Sequence, residues 1–344
     1  MKKSRIIIEI IAFLLAVTVT VTGLLHLGSR LLPAHYEYGS AWDTYLAEEK
    51  DSLDVMFFGS SLSYCDIVPA QIYTQSGIRS FVNAGSSQTL AVSRQYLAES
   101  LKTQTPSVAF LEITGAFYKQ YTEYSTLNVV YMPFGMARLR AGLSCEEQAR
   151  MSAVFPLYES HERIFMTPAE RYGDQKQAAE QTHYAHMSAG FTFCEAGEAQ
   201  TVTERSFVTV PGTKTYEDNL NDIRSFADCC EKNGIRLVLY LAPCMARIPA
   251  DLRQQLFADL ADVPCAALED WTELGDSIGV SAETDWYDNL HFNFRGAAKF
   301  SAFLSDYILQ LGLTPKSGVQ DELWQQRADW WHSRCESCGF SLNE

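Results

Sequence analysis

Basic side chains are scarce in this chain. Only 27 of its 344 residues are Lys or Arg, against 42 Asp and Glu, for a formal net charge of −15. A surface short of positive charge excludes general nucleic-acid binding, which depends on neutralising phosphates. Glycine and proline number only 20 and 11, so collagen-like and low-complexity architectures are excluded too. Charged residues make up 20% and hydrophobic ones 47%, too apolar for a mainly disordered chain. The nine cysteines form no framework: they are scattered from Cys65 to Cys338. Cys335-x-x-Cys338 is the most local disulfide candidate, and a single C-x-x-C is poor support for zinc. The other seven read as small buried side chains. His183 and His186 have the spacing of a metal pair but lack a third ligand, so they read as solvated. No cofactor is implied.

One long hydrophobic run is present. Ile6 to Leu27 is interrupted only by Glu9 and His26, and about 20 apolar residues cross a bilayer as helix. Lys2, Lys3 and Arg5 precede it, which keeps the N-terminus cytoplasmic and the remainder extracytoplasmic. A cleaved signal peptide is the rival, but the run exceeds a signal core and Gly28-Ser29-Arg30 is a poor cleavage site. The expected organisation is an anchor over 1–28, a juxtamembrane segment over 29–52, a catalytic domain over 53–312 and a tail over 313–344.

Beyond the anchor, short apolar runs alternate with amphipathic segments. Leu53–Phe58, Arg79–Val82, Val108–Ile113, Ile235–Ala242 and Cys265–Leu268 read as strands. Helical spacing follows from Leu90 (with Ser87 as N-cap), from Tyr216 to Cys230, from Pro249 to Leu260 and from Ala297 to Leu311. Near-continuous apolar strands alternating with helices predict a parallel sheet covered on both faces, with reactive groups at the carboxyl ends of its strands. From about 115 to 215 the rhythm breaks, and this stretch reads as a largely helical insertion. Trp324, Ala328 and Trp331 in the tail have helical spacing suited to packing on the body.

Three strand ends carry chemistry. Gly59-Ser60-Ser61-Leu62 follows the first strand, where a Ser can present its hydroxyl and its N–H together. Asn83-Ala84-Gly85-Ser86 follows the second, with a Gly that permits close backbone approach. Asp288-Asn289-Leu290-His291-Phe292-Asn293 precedes the last helix. There Asp288 can orient the His291 imidazole, whose other nitrogen takes a hydroxyl proton, and Asn293 can cap the helix.

In this order on this pattern, the three blocks resemble the SGNH/GDSL hydrolase superfamily, over roughly Leu53 to Gly312 less the insertion. The resemblance implies an α/β three-layer sandwich with a central parallel sheet. It also implies Ser61 as nucleophile, Asp288 and His291 as its partners, and the N–H groups of Ser61 and Gly85 as oxyanion donors. Two positions depart from the family pattern. Ser60 stands where Asp is usual, and the third block, G-x-N-D, is replaced by Glu112-Ile113-Thr114-Gly115. The anchor and G-S-S look similar to the membrane-anchored SGNH proteins that work beside a membrane-bound O-acyltransferase. The implied activity is an extracytoplasmic serine esterase or O-acyltransferase on cell-envelope carbohydrate, using an acylated carbohydrate or acyl donor. A catalytically silent module that binds a glycan or an acyltransferase partner is the alternative. A teichoic-acid D-alanyl-transfer role is a third reading, disfavoured by the acidic body.

Overall fold

The computed structural model describes residues 2–32, 42–120, 124–195, 197–319 and 321–342. Part of the expected juxtamembrane segment, residues 33–41, lies outside these. The first element is a single helix, α1 (Lys2–Leu31). Its Arg5–Gly28 stretch has a mean hydropathy of 2.4, and its apolar window is not buried in the body. It is long and apolar enough to cross a membrane. Glu9, the one acid in the run, pairs with Arg5 one turn earlier at 3.0 Å.

The body is α/β. Five parallel strands, β1 (Val55–Phe58), β2 (Ser80–Val82), β3 (Val108–Glu112), β4 (Arg236–Leu241) and β5 (Ala267–Asp270), lie in the order β2-β1-β3-β4-β5. Each falls within two residues of an apolar run read from the sequence. The match follows from burial: β1 to β3 are buried along their whole length, so both faces need apolar residues and the pattern is continuous rather than alternating. Successive residues of β1 enter different cores. Met56 and Phe58 join the cluster holding Leu97, Ile223 and Phe226, whereas Val55 and Phe57 join the cluster holding Ile72, Phe300 and Trp331.

The helices that bring those side chains are α2 (Ser61–Tyr64), α3 (Pro69–Ser76), α4 (Leu90–Ser100), α5 (Lys214–Lys232), α6 (Phe294–Gln310) and α7 (Glu322–Ser337). The N-cap of α4 is Thr89, whose hydroxyl accepts from Val92 N–H, and not Ser87. Ser87 instead takes a left-handed turn conformation with φ 42°, two residues too early to reach the first free N–H groups. Asn293 caps α6 as expected, its Oδ1 accepting from Arg295 and Gly296 N–H.

Between β3 and α5 the described chain is mainly helical, the longest piece being Pro168–Ser188. It also holds a two-residue strand, Thr203–Glu204, paired with Ala246–Arg247, which composition did not reveal. The tail forms α7, with Trp324 and Trp331 buried. All nine cysteines are free thiols, Cys335 and Cys338 included. These two lie three apart at the end of α7, where helix geometry holds Cβ atoms about 5–6 Å apart, beyond the disulfide range of about 3.5–4.5 Å.

Candidate active site

The strand order reverses at β1: the chain passes from β1 to β2 on one side and then to β3 on the other. The crevice outside such a reversal, at the carboxyl ends of the strands, is where open α/β sheets place ligands. Ser61 is the third residue after β1. The turn before it requires glycine. Gly59 has φ +147°, and a Cβ there would lie 2.6 Å from Ser63 Oγ and 2.7 Å from Glu112 Cβ. Ser60 then caps α2 by accepting from Leu62 N–H at 3.4 Å, a task that accounts for a short hydroxyl residue here. Ser61 opens the helix, and its N–H has no partner among the described residues.

The second half of the site is a tight loop closed by a bridge between Trp286 and Phe292. Asp288 Oδ1 accepts from Leu290 N–H at 2.7 Å and His291 N–H at 2.9 Å. The same carboxylate faces His291 Nδ1, at 3.0 Å from Oδ1 and 2.9 Å from Oδ2. His291 Nε2 lies 2.7 Å from Ser61 Oγ. Ser61, His291 and Asp288, 230 residues apart at their extremes in the chain, thus form one continuous hydrogen-bonded relay. Burial alone would raise the Asp288 carboxyl, but the His291 side chain and the two backbone N–H donors hold it below the usual carboxylate range. A carboxylate fixed in its charged form keeps the Nδ1 proton in place, leaving Nε2 to receive one from Ser61.

Asp66 joins the two halves. Its Oδ1 accepts from Phe292 N–H at 2.9 Å, tying the loop after Ser61 to the residue after His291. Burial pushes its carboxyl well up. Nothing in the motif spacing marked Asp66; the available signal was one acid amid the apolar run Tyr64 to Val68.

The expected oxyanion donors differ from each other. Ser61 N–H is free to donate, whereas Gly85 N–H points at the Gly59 carbonyl at 3.4 Å and must exchange that weak bond to serve a ligand. Asn128 packs on Gly85, its Oδ1 only 2.2 Å from where a Cβ would stand, and its Nδ2 donates to the Ser86 carbonyl at 2.9 Å. In the third block, Glu112 accepts from Thr114 N–H at 2.7 Å and approaches Ser60 Oγ at 3.5 Å. It braces the turn from behind.

Burial raises the Glu112 carboxyl to about 7, against opposition from the Thr114 hydrogen bonds, the Arg205 charge and Ser60. A buried acid raised in this way binds a proton in the folded state that the unfolded chain has released. Its effect on stability is therefore absent below about pH 4.5, grows as pH rises toward 7 and is constant above. Glu112→Gln should leave stability unchanged at pH 4 and raise it at pH 8, on the order of 3 kcal/mol. Urea denaturation of the full chain at both pH values measures this. A variant no more stable at pH 8 would show that the Glu112 carboxyl is not raised in the native fold.

The relay opens into a cavity of about 930 Å³. Tyr64, Tyr124, Tyr184, Phe193 and Tyr287 supply aromatic walls, and Ser86, Ser87, Thr192 and Gln181 supply neutral polar groups. Glu180 and Glu195 also line it, and among the described residues Arg334 is its one Lys or Arg. Tyr184 and Glu180 come from the insertion and Arg334 from α7, whose Trp spacing by itself points only to packing on the body. The Arg334 guanidinium stacks on Phe193 at 4.7 Å. Cys65 lies in the wall too. Burial and its contact with Cys194 push its thiol well up, which disfavours the thiolate that Cys-His chemistry requires. No group of metal-ligating residues occurs among the described residues.

No protein-family model matches this chain, and no curated protein matches it.

Proposed function

We propose that this chain is a membrane-anchored serine esterase or O-acyltransferase of the SGNH type, with a three-layer fold, whose site faces the extracytoplasmic side and acts on an acylated carbohydrate. The observation that carries the reading is the Ser61–His291–Asp288 relay, with both contacts of the imidazole below 3 Å. Ser61 Oγ attacks the ester carbonyl carbon while His291 Nε2 takes its proton. Asp288 stabilises the resulting imidazolium, and Ser61 N–H donates to the oxyanion. Collapse expels the alcohol, which leaves with the proton from His291. Water or a sugar hydroxyl then attacks the acyl-serine, its proton passing to His291 and then to Ser61 as the enzyme is regenerated. Transfer instead of hydrolysis requires only that a sugar hydroxyl displace water, and the aromatic and hydroxyl-rich walls suit a sugar ring. An acyl donor presented by a membrane-bound O-acyltransferase fits the apolar helix α1.

A second reading is a silent binding module. It is favoured by the engagement of Gly85 N–H and by the replacement of the third block with Glu112-Ile113-Thr114-Gly115, since loss of one oxyanion donor costs about 10²–10³ in rate. Labelling the full-length protein with a fluorophosphonate separates the two. Ser61 should displace fluoride and gain the phosphonyl mass, and Ser61→Ala should gain none. A folded protein left unlabelled would end the nucleophile assignment and favour the binding module.

A further inference from the structure

The exposed apolar side chains of the body are not evenly spread. Among the described residues outside α1, thirteen large hydrophobic side chains are exposed, and eight of them fall between Phe134 and Phe165. Scattered exposed leucines are ordinary, but a concentrated apolar patch marks a partner surface. The patch is continuous with α1. That helix packs on the segments Leu157–Ser160 and His161–Phe165. A Cβ on Gly28 would lie 2.5 Å from Leu157 N, so helix and segment meet backbone to backbone.

This contact sets the depth of the patch. The apolar stretch Arg5–Gly28 has 24 residues, about 36 Å at 1.5 Å per residue, slightly more than the roughly 30 Å hydrocarbon core. Gly28 then lies at the boundary where α1 leaves the bilayer, and the segment seated on it lies at the same level. Val154, Tyr158, Ile164 and Phe165 are exposed there, Phe165 at 84%. Aromatic and aliphatic side chains at that depth enter the headgroup and upper acyl region favourably.

We infer that the Val154–Phe165 edge of the insertion is a membrane-docking surface, which lays the body against the lipid interface beside α1 and fixes its orientation instead of leaving it tethered at one point. The occupant is the phospholipid of the leaflet from which α1 emerges. The inference rests on α1 spanning the bilayer, and the experiment reports on that separately.

The full-length chain, with p-benzoylphenylalanine in place of Phe165 or, separately, of Leu309 near the C-terminal end of α6, is reconstituted into vesicles of phosphatidylcholine and phosphatidylglycerol and irradiated. Both proteins should float with the vesicles after carbonate washing. Phospholipid adducts, read by mass, should be at least tenfold more abundant at position 165 than at 309. Flotation without adducts at 165, or equal adducts at both positions, overturns the docking surface while leaving the anchor. Loss of flotation overturns the anchor and the surface with it. In native membranes, capture of a protein at 165 in place of lipid would assign the patch to a protein partner and overturn the lipid assignment.

Discussion

Asp288→Asn should leave the protein folded and lower its turnover of p-nitrophenyl acetate by roughly 10²–10⁴-fold, the range associated with loss of general base catalysis. The expectation follows from the double duty of this carboxylate. One oxygen accepts from Leu290 and His291 N–H, and an Asn oxygen can do the same, so the loop survives. The imidazole does not fare as well. With an amide NH₂ facing Nδ1, that nitrogen becomes the acceptor and the ring proton moves to Nε2. Nε2–H then faces Ser61 Oγ, at 2.7 Å in the native chain, and can no longer take its proton. His291→Ala should be at least as damaging. The double variant should be little worse than His291→Ala alone, because Asp288 acts through the imidazole. Near-native turnover by Asp288→Asn, or strictly additive losses, would reduce Asp288 to a loop cap and remove the relay from the mechanism.

The residues of that relay were legible in the sequence because each sits in a short local pattern at a strand or helix end. Ser61 follows a buried strand and a glycine, and Asp288 stands three residues before His291. Strands β1 to β3 were legible because burial on both faces leaves unbroken apolar runs. What the sequence hid is contact between distant segments that carry no periodic pattern. Glu112 reads as a polar residue ending a strand, yet in space it packs behind Gly59. Asp66 reaches Phe292, and Arg334 and Tyr184 reach the same cavity as Ser61. The cap of α4 was misassigned because Ser87 and Thr89 both suit a cap, and only the backbone turn at Ser87 decides between them.

The largest stability effect is expected at Arg327, in the tail. Its side chain has no exposure, and neither in practice does that of Glu48, its ion-pair partner. Arg327 Nη1 donates to Glu48 Oε2 at 3.1 Å, Nη2 donates to the other oxygen, and Nε donates to the His186 carbonyl at 2.9 Å. The guanidinium also lies 4.4 Å from the centre of the Trp324 ring. One side chain therefore clamps α7, the segment before β1 and the end of the Pro168–Ser188 helix. Arg327→Met leaves the Glu48 carboxylate buried without a counter-charge and should cost about 3–5 kcal/mol. Replacing both partners, Glu48→Leu with Arg327→Met, should recover most of the loss, since the penalty lies in the orphaned charge rather than in the absent attraction. Urea denaturation of the two single variants and the double measures this, and additive losses would refute it. The clamp also bears on the site. Tyr184 precedes His186 by two residues, and Arg334 follows Arg327 by two helical turns. Arg327→Met should therefore also weaken ester turnover, through displacement of two cavity walls, under conditions where the variant is still folded. A folded Arg327→Met variant with native turnover would show that α7 stabilises the body without shaping the cavity.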